Sequence, residues 1–246
     1  METPMLSTAL ASDGYQWLCR NPYFGRLVMV GLSPNGENAF AITAISGRSP
    51  ASQNRKYVAG KDGIVCTEVA DPALQIGDPA LTIYRAHDEN QTFGLFAVSN
   101  GAQTHECTVS SATLNTILGV NWTFEPDTPN FTPRISARVI AREGRKNPTF
   151  EFAIHRRAQS GGLLLENANP VLLEPGFGLF VSTYEGDGKP LPAFIGGPRL
   201  TTIGANPLDD LKKDLQSFPF VVGIAIKTIP LERGAPTSVE IWNRHN

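Results

Sequence analysis

The chain has 246 residues, of which 41% are hydrophobic and 18% are charged, a composition typical of a folded globular protein and not of a disordered one. Lysine and arginine number 21 against 23 acidic residues, and the resulting net charge of -2 argues against a nucleic-acid or anionic-membrane binder, which usually carries a basic excess. A small anionic substrate remains compatible with this balance, because a few arginines in one cleft can hold a phosphate inside an acidic protein.

The amino-terminal segment shows no basic stretch followed by an apolar run and does not read as a signal peptide. No apolar stretch approaches the roughly 20 residues that a membrane span requires. We therefore expect a cytoplasmic protein with neither a membrane nor a nucleic acid as partner. We also expect a single domain over residues 1–246, with residues 1–20 as an N-terminal extension, because no linker-like stretch divides the chain.

The cysteines and histidines lack the spacing of a metal or redox centre. Cys19, Cys66 and Cys107 are odd in number and far apart, and the sequence contains no CxxC motif. The four histidines show neither HxxxH nor HxH spacing. The sequence therefore predicts no metal site and no thioredoxin-type chemistry.

Short β-rich runs, mostly separated by Gly, Pro, Asn or Asp, dominate the chain and predict strands. The predicted strands are Arg26–Leu32, Ala39–Ile45, Ile64–Thr67, Leu81–Tyr84, Thr92–Ser99, Ile135–Ala141, Thr149–Ile154, Gly162–Leu165, Phe177–Tyr184, Phe220–Thr228 and Ser238–Trp242.

Two segments have helical spacing. The first is Ser111–Leu118, which Gly119 would cap. The second starts with Pro207 after Asn206, and Pro219 stops it. Because the strands follow one another with too few helices for parallel crossovers, the pattern predicts one α+β domain with largely antiparallel sheets.

Four polar loops lie at the ends of predicted strands and carry most of the candidate site residues. Residues 46–55 contain Arg48 and Arg55, whose guanidinium groups suit phosphate or carboxylate. Residues 99–104 contain Asn100, and a side-chain amide can hold an amide or a purine-like edge. Each loop is also compatible with an ordinary solvated turn.

The third loop, residues 125–135, places Glu125, Asp127 and Arg134 among three prolines that restrict the backbone. Acids held beside an arginine suit proton transfer on an anionic substrate, although a structural Asp–Arg pair would look the same. The fourth loop, residues 182–188, contains the hairpin signal Asp187-Gly188. The sequence has no P-loop, dinucleotide fingerprint, GxSxG or HExxH motif, so the residues alone indicate an anion-binding α+β domain.

The order of these segments resembles the archaeal-type IMP cyclohydrolase family and its bacterial homologues. The resemblance runs from Gly25 to Glu185, and Asn-Phe-Thr-Pro-Arg-Ile is its most specific part. The segments that carry it are Gly25-Arg26-Leu27, Gly47-Arg48-Ser49-Pro50 leading to Asn54-Arg55, Ser99-Asn100-Gly101, Glu125-Pro126-Asp127 with Asn130-Phe131-Thr132-Pro133-Arg134-Ile135, and Ser182-Thr183-Tyr184-Glu185.

The resemblance implies a fold like that of the N-terminal nucleophile hydrolases, a four-layer αββα sandwich with two mainly antiparallel sheets. It also implies that the fold is used without a self-processed nucleophile, although Cys19 leaves the question of processing open. Self-association into a homo-oligomer is a further expectation from the family.

The reaction that the resemblance implies is the dehydrative ring closure of 5-formamidoimidazole-4-carboxamide ribonucleotide to IMP in purine biosynthesis. The carboxamide nitrogen attacks the formyl carbon of the same molecule, and the adduct loses water. No redox step or group transfer occurs, so the resemblance implies an enzyme without a cofactor, with a purine nucleotide as its partner.

Transferred position by position, the family pattern makes Arg55, Tyr84 and Glu125 the catalytic candidates. Arg55 would stabilise the formyl oxygen, Tyr84 would donate a proton or hydrogen bond, and Glu125 would act as base or orient the amide. The expected substrate-binding residues are Asn100 for the carboxamide, and three arginines for phosphate or site organisation: Arg26, Arg48 and Arg134.

One departure from the family pattern keeps other functions open. The family often has an acidic residue after the Thr of its Asn-Gly-x-x-Thr segment, and His105 stands there in this chain. The alternatives are a related cyclase or amidohydrolase acting on another purine-like nucleotide, a non-catalytic nucleotide-binding homologue, and a conventional N-terminal nucleophile hydrolase processed before Cys19.

Overall fold

A computed structural model describes residues 8–142, 147–215 and 218–245. Within these residues the chain forms thirteen strands and four α-helices. The strands are β1 Arg26–Leu32, β2 Asn38–Ser46, β3 Arg55–Ala59, β4 Val65–Val69, β5 Arg85–Asn90, β6 Leu95–Ser99, β7 Arg134–Ile140, β8 Thr149–Arg157, β9 Leu163–Val171, β10 Phe177–Ser182, β11 Arg199–Thr202, β12 Val221–Pro230 and β13 Ser238–Asn243. The helices are α1 Thr8–Arg20, α2 Pro50–Gln53, α3 Leu114–Leu118 and α4 Pro207–Leu215.

The strands form two sheets in which neighbouring strands run antiparallel. The first sheet has the order β11-β10-β1-β2-β12-β13. The second has the order β3-β4-β5-β6-β7-β8-β9, so its neighbours in space are also neighbours in sequence. The predicted α+β class with two mainly antiparallel sheets is confirmed.

The main hydrophobic core lies between the two sheets. Side chains alternate along a strand, so β1 turns Val28 and Val30 towards Val98 and Ile135 of the second sheet. The intervening Met29 points to the opposite face of β1, where helices α1 and α4 cover the first sheet. Because both faces of β1 are covered, its continuous apolar sequence is buried along its whole length.

Helix α3 packs on the outer face of the second sheet. Leu114 and Leu118 from this helix share a buried cluster with Ala97 of β6, Ala153 of β8 and the nearby Cys107. The described residues therefore form four layers, with helices outside each of two stacked sheets.

Ten of the predicted strands correspond to observed strands, but the strand predicted at Leu81–Tyr84 is wrong. Asp78 accepts a hydrogen bond from the Ala80 N–H at 2.9 Å and starts a 3-10 turn at Pro79, so the apolar residues that follow do not extend. The strand predicted from Thr92 begins only at Leu95. Strands β3, β5 and β11 were not predicted because their polar residues hide the alternation.

The two predicted helices are present with different bounds. Helix α4 begins at Pro207 as expected and is described to Leu215, while residues 216 and 217 of the predicted run lie outside the described residues. Helix α3 starts at Leu114 rather than Ser111, because Thr113 serves as its N-cap, and Gly119 forms the predicted C-cap.

The segment expected as an N-terminal extension contains helix α1. Its Ala11 and Leu18 side chains are fully buried against the first sheet, and Trp17 stacks on Phe180 of β10. Residues 8–20 therefore belong to the packed structure. No helix in the described parts of the chain is long and apolar enough to cross a membrane.

Candidate active site

The polar loops meet at one end of the sandwich, which we call the site end. Strand β1 begins there at Arg26 and β2 ends there at Ser46, because these antiparallel strands pair Arg26 with Ile45. In the second sheet, β6 ends at Ser99 and β7 begins at Arg134. Antiparallel pairing thus brings loops that are distant in sequence to the same edge.

Glu125 forms the centre of a buried ionic cluster. Its Oε2 accepts a hydrogen bond from Arg26 Nη2 at 2.9 Å, and its Oε1 lies 3.9 Å from Arg134 Nη1. Arg26 also donates to the backbone carbonyl of Asn100, at 3.4 Å. Burial opposes the charge on Arg26, but the Glu125 carboxylate outweighs it and raises the pKa of this guanidinium. Glu125 Oε1 has no hydrogen-bond partner among the described residues, so this oxygen is available to a ligand.

Arg55 is buried without a compensating acid. Its guanidinium donates to the backbone carbonyls of Ser52, at 3.1 Å, and Ser46, at 3.4 Å. No carboxylate of the described residues forms an ion pair with it, and burial lowers its pKa, with Tyr84 and Arg26 nearby. A guanidinium still keeps its proton at neutral pH. Arg55 therefore contributes an unpaired buried charge to the site end.

Tyr84 is held at the same place by β4. Thr67 Oγ1 accepts the Tyr84 N–H at 3.0 Å, and the Thr67 N–H donates to the Tyr84 carbonyl at 2.8 Å. The Tyr84 ring is buried, and its phenol interacts electrostatically with Arg26 and Arg55. The three catalytic candidates thus lie in one cluster.

The side chain of Asn100 joins two loops. Its Oδ1 accepts from the Ile135 N–H at 2.8 Å and from Gln103 Nε2 at 3.2 Å, and its Nδ2 donates to the Pro133 carbonyl at 2.8 Å. An amide has two acceptor sites and two N–H groups, so one N–H remains for a substrate. Asn100 has a structural task that its sequence context did not reveal.

Arg48 lies further out than the other site arginines. It forms an ion pair with Asp187, donates to the Gly188 carbonyl at 2.8 Å and sits over the Tyr23 ring at 5.6 Å. Its side chain is 30% exposed, whereas that of Arg26 is 9% exposed. The fourth polar loop therefore positions an arginine at the rim of the site end.

Sequence reasoning did not select three tyrosines that the fold brings to this cluster. Tyr23 and Tyr184 stack with ring centroids 5.9 Å apart, and Tyr57 is buried beside Tyr84 and Arg55. Tyr184 lies within a segment that carries the family resemblance, which is the one signal that pointed to it. No periodicity or motif marks Tyr23 or Tyr57.

His105, the departure from the family pattern, contacts Asp88 at 2.7 Å and Arg85 at 3.2 Å. Its side chain is 61% exposed. Its hydrogen bonds thus tie it to strand β5 and not to the Glu125 cluster.

Cys19 lies inside helix α1, so processing before it would cut a packed helix. Burial, and then the nearby Asp214, raise the pKa of its thiol, the opposite of what an activated nucleophile requires. The conventional N-terminal nucleophile alternative thus loses support.

The fold and the site define a two-sheet α+β protein with a buried, arginine-rich polar cluster at one end of its sandwich. The family model described as IMP cyclohydrolase-like protein matches residues 23–217, and the chain belongs to this family. No curated protein and no solved structure matches the chain. The expected likeness to the N-terminal nucleophile hydrolase fold stays a prediction.

Proposed function

We propose that this protein is an IMP cyclohydrolase that closes the purine ring of 5-formamidoimidazole-4-carboxamide ribonucleotide. The observation that carries the proposal is the charge of the site end. Arg26 and Arg134 flank the Glu125 carboxylate, and Arg55 lies near Arg26. Asp127 is a second acid that acts on Arg134, so three cations face two carboxylates. Buried charges are normally compensated, so the excess positive charge favours an anionic ligand such as a nucleotide.

Within this proposal the arginines have different tasks. Arg26 and Arg134 hold Glu125, which accounts for one of the two roles that the sequence left open for them. Arg48 lies at the rim and is the candidate for the phosphate, with Asp187 as the group that it would exchange for it. Arg55, whose hydrogen-bond acceptors among the described residues are backbone carbonyls alone, is the candidate for the charge that develops on the formyl oxygen.

Glu125 Oε1 is the candidate acceptor of the carboxamide proton. It is buried, lacks a hydrogen-bond partner among the described residues, and belongs to a carboxylate fixed by Arg26. Tyr84 would donate a hydrogen bond near the reacting oxygen. Both reacting groups belong to one substrate molecule, so holding the productive rotamer supplies much of the rate advantage.

The first test compares Glu125→Gln with the wild-type protein. Incubation of the wild type with the formamido-carboxamide ribonucleotide should produce IMP. In Glu125→Gln we expect kcat to fall by about 10²–10⁴-fold while IMP still binds, because the amide keeps the shape but cannot accept a proton. Turnover is followed by IMP formation and binding by calorimetry.

The matched control is Glu151→Gln. Glu151 is also buried and paired with an arginine, Arg138, but this pair lies on the outer face of the second sheet, beside Leu114 of α3. Its variant should retain turnover. Unchanged turnover in Glu125→Gln would remove this residue from proton transfer. A wild type that binds the nucleotide without converting it would favour another nucleotide substrate or a binding function. A wild type that shows no binding and no conversion would contradict the proposal.

A further inference from the structure

Three side chains near Glu125 form a continuous hydrogen-bonded chain. Asp127 Oδ1 accepts the Thr132 backbone N–H at 2.7 Å, and Asp127 Oδ2 accepts the Thr132 hydroxyl. The same Thr132 hydroxyl contacts the hydroxyl of Tyr184. Thr132 is 1% exposed and Tyr184 is 5% exposed, so the inner part of this chain is shielded from water.

The chemistry of Asp127 fixes the direction of the protons. An ionised carboxylate can only accept, so the Thr132 hydroxyl donates its single proton to Asp127. Thr132 must then accept from Tyr184, so the Tyr184 hydroxyl proton points towards Thr132. The lone pairs of the Tyr184 oxygen remain to accept from a ligand. Towards a ligand this phenol is therefore an acceptor, whereas a tyrosine is ordinarily expected to donate.

The chain adjoins the ionic cluster. The Glu125 N–H donates to the Thr132 carbonyl at 2.8 Å, so these two residues are bonded neighbours. The Tyr184 phenol interacts electrostatically with Arg26, which itself binds Glu125. The Tyr184 ring lies against Gly25, where a Cβ would come within 2.5 Å of its Cδ2. Tyr184 is thereby held beside the residue that precedes Arg26.

Ring closure of the proposed substrate needs two proton acceptors, or one used twice. The carboxamide nitrogen loses one proton when it bonds to the formyl carbon. The formamido nitrogen loses another when the C=N bond forms and the former formyl oxygen departs as water. Glu125 offers one acceptor, so a second group is required if Glu125 acts only once.

We propose that Tyr184 is a second catalytic proton acceptor of the ring closure, with Thr132 and Asp127 as the positioning residues that make it one. This inference rests on the proposed function. As the formamido N–H gives its proton to the Tyr184 oxygen, Tyr184 passes its own proton to Thr132, and Thr132 passes its proton to Asp127. Glu125 gives the carboxamide proton to the former formyl oxygen, and the reverse shift along Asp127, Thr132 and Tyr184 gives that oxygen its second proton. Two protons leave nitrogen, two reach oxygen, and the protein ends unchanged.

The test changes Thr132, the middle residue of the proton relay formed by Tyr184, Thr132 and Asp127. Thr132→Val removes the hydroxyl and keeps the shape, whereas Thr132→Ser keeps the hydroxyl. Comparing the two variants separates loss of the relay from loss of packing. Tyr184→Phe and Asp127→Asn interrupt the same chain elsewhere. We expect Thr132→Val and Tyr184→Phe to lower kcat by about 10²-fold with little change in KM, and Thr132→Ser to stay near the wild type.

The solvent deuterium isotope effect on kcat supplies a readout that a purely structural role would not move. It should be smaller in Tyr184→Phe and Asp127→Asn than in the wild type, because fewer protons move together. A wild type that converts the substrate, with folded Tyr184→Phe and Asp127→Asn variants of unchanged kcat and isotope effect, would overturn the relay alone. If Thr132→Val does not fold, the Tyr184→Phe and Asp127→Asn variants still provide the test. A wild type without conversion overturns the proposed function and the relay together.

Discussion

When an ionisable residue is buried, the groups that it contacts determine whether its charge is compensated. Arg26 and Arg134 share Glu125, Arg138 is paired with Glu151, and Arg55 has backbone carbonyls alone among its hydrogen-bond partners in the described residues. Removing water from a charge costs several kcal/mol unless partners replace it. An arginine without an acid is therefore the residue most informative about the ligand.

The buried histidine His87 shows how burial makes stability depend on pH. His87 lies fully buried between the sheets, where its Nε2 meets Thr43 Oγ1 at 2.8 Å. Burial, and then the nearby Lys227, lower the pKa of His87 to about 3. The imidazole is therefore uncharged in the folded protein at neutral pH.

We predict that His87 makes the protein sensitive to acid. The unfolded chain binds a proton at His87 below about pH 6.5, whereas the folded chain does so only near pH 3, so stability is complete above pH 6.5 and falls between these values. Between about pH 7 and about pH 4.5, the wild type should lose on the order of 3 kcal/mol more free energy of unfolding than His87→Gln. Urea unfolding at each pH measures this, and the exposed His245→Gln serves as control. Parallel pH profiles for wild type and His87→Gln would contradict the assignment.

At the scale of elements, the ends of strands position the site. Arg26 is the first residue of β1, and the turn before it places it beside the loop that carries Glu125. That turn depends on Gly25, which has φ +69° and leaves no room for a side chain. A Cβ there would lie 2.2 Å from Thr183 Oγ1.

We predict that Gly25→Ala is far more damaging than Gly77→Ala. Both glycines have positive φ, but a Cβ at Gly77 would meet nothing within 4 Å. Gly77→Ala should cost about 1 kcal/mol from backbone strain alone. Gly25→Ala should cost about 3 kcal/mol or more because crowding adds to strain, and it should weaken IMP binding by displacing Arg26. Urea midpoints and calorimetry measure both effects, and equal losses in the two variants would show that crowding at Gly25 is unimportant.

At the scale of the whole molecule, one buried ion pair joins the two sheets. Lys227 of β12 binds Glu89 of β5, and their side chains are 1% and 8% exposed. Glu89 also accepts from Gln91 at 2.8 Å and from Thr237 at 3.4 Å. Because the pair lies inside the sandwich, it helps to specify how the sheets face each other, at a cost in desolvation.

We predict that Lys227→Met destabilises the protein by about 3–5 kcal/mol, because it leaves Glu89 charged and without its cation. The double variant Lys227→Met/Glu89→Gln should recover most of this loss, since no unpaired charge remains. Arg156→Met, which breaks the more exposed pair with Glu166, should cost no more than about 1 kcal/mol. Thermal unfolding ranks the three variants, and a double variant as unstable as the single one would show that the pair itself is favourable.

Much of the fold was predictable because the strongest sequence signals are local. Covered strands such as β1 are apolar after their first residue, and Pro207 and Gly119 mark helix ends by their backbone chemistry. Strand β5 was missed because Arg85–Asn90 is polar, and its buried histidine and acids have partners from other elements. Leu81–Tyr84 was misread because the preceding Asp-Pro starts a turn.

The sequence by itself determined the α+β class, the positions of most strands, the polar loops and, through the family pattern, the candidates Arg55, Tyr84 and Glu125. These depend on residue type and spacing along the chain. Only the tertiary structure decided that Arg26 binds Glu125, that the amide of Asn100 is largely used within the protein, and that the Thr132 hydroxyl contacts that of Tyr184. Such contacts join residues dozens of positions apart, and local patterns carry no information on which distant strand ends will meet.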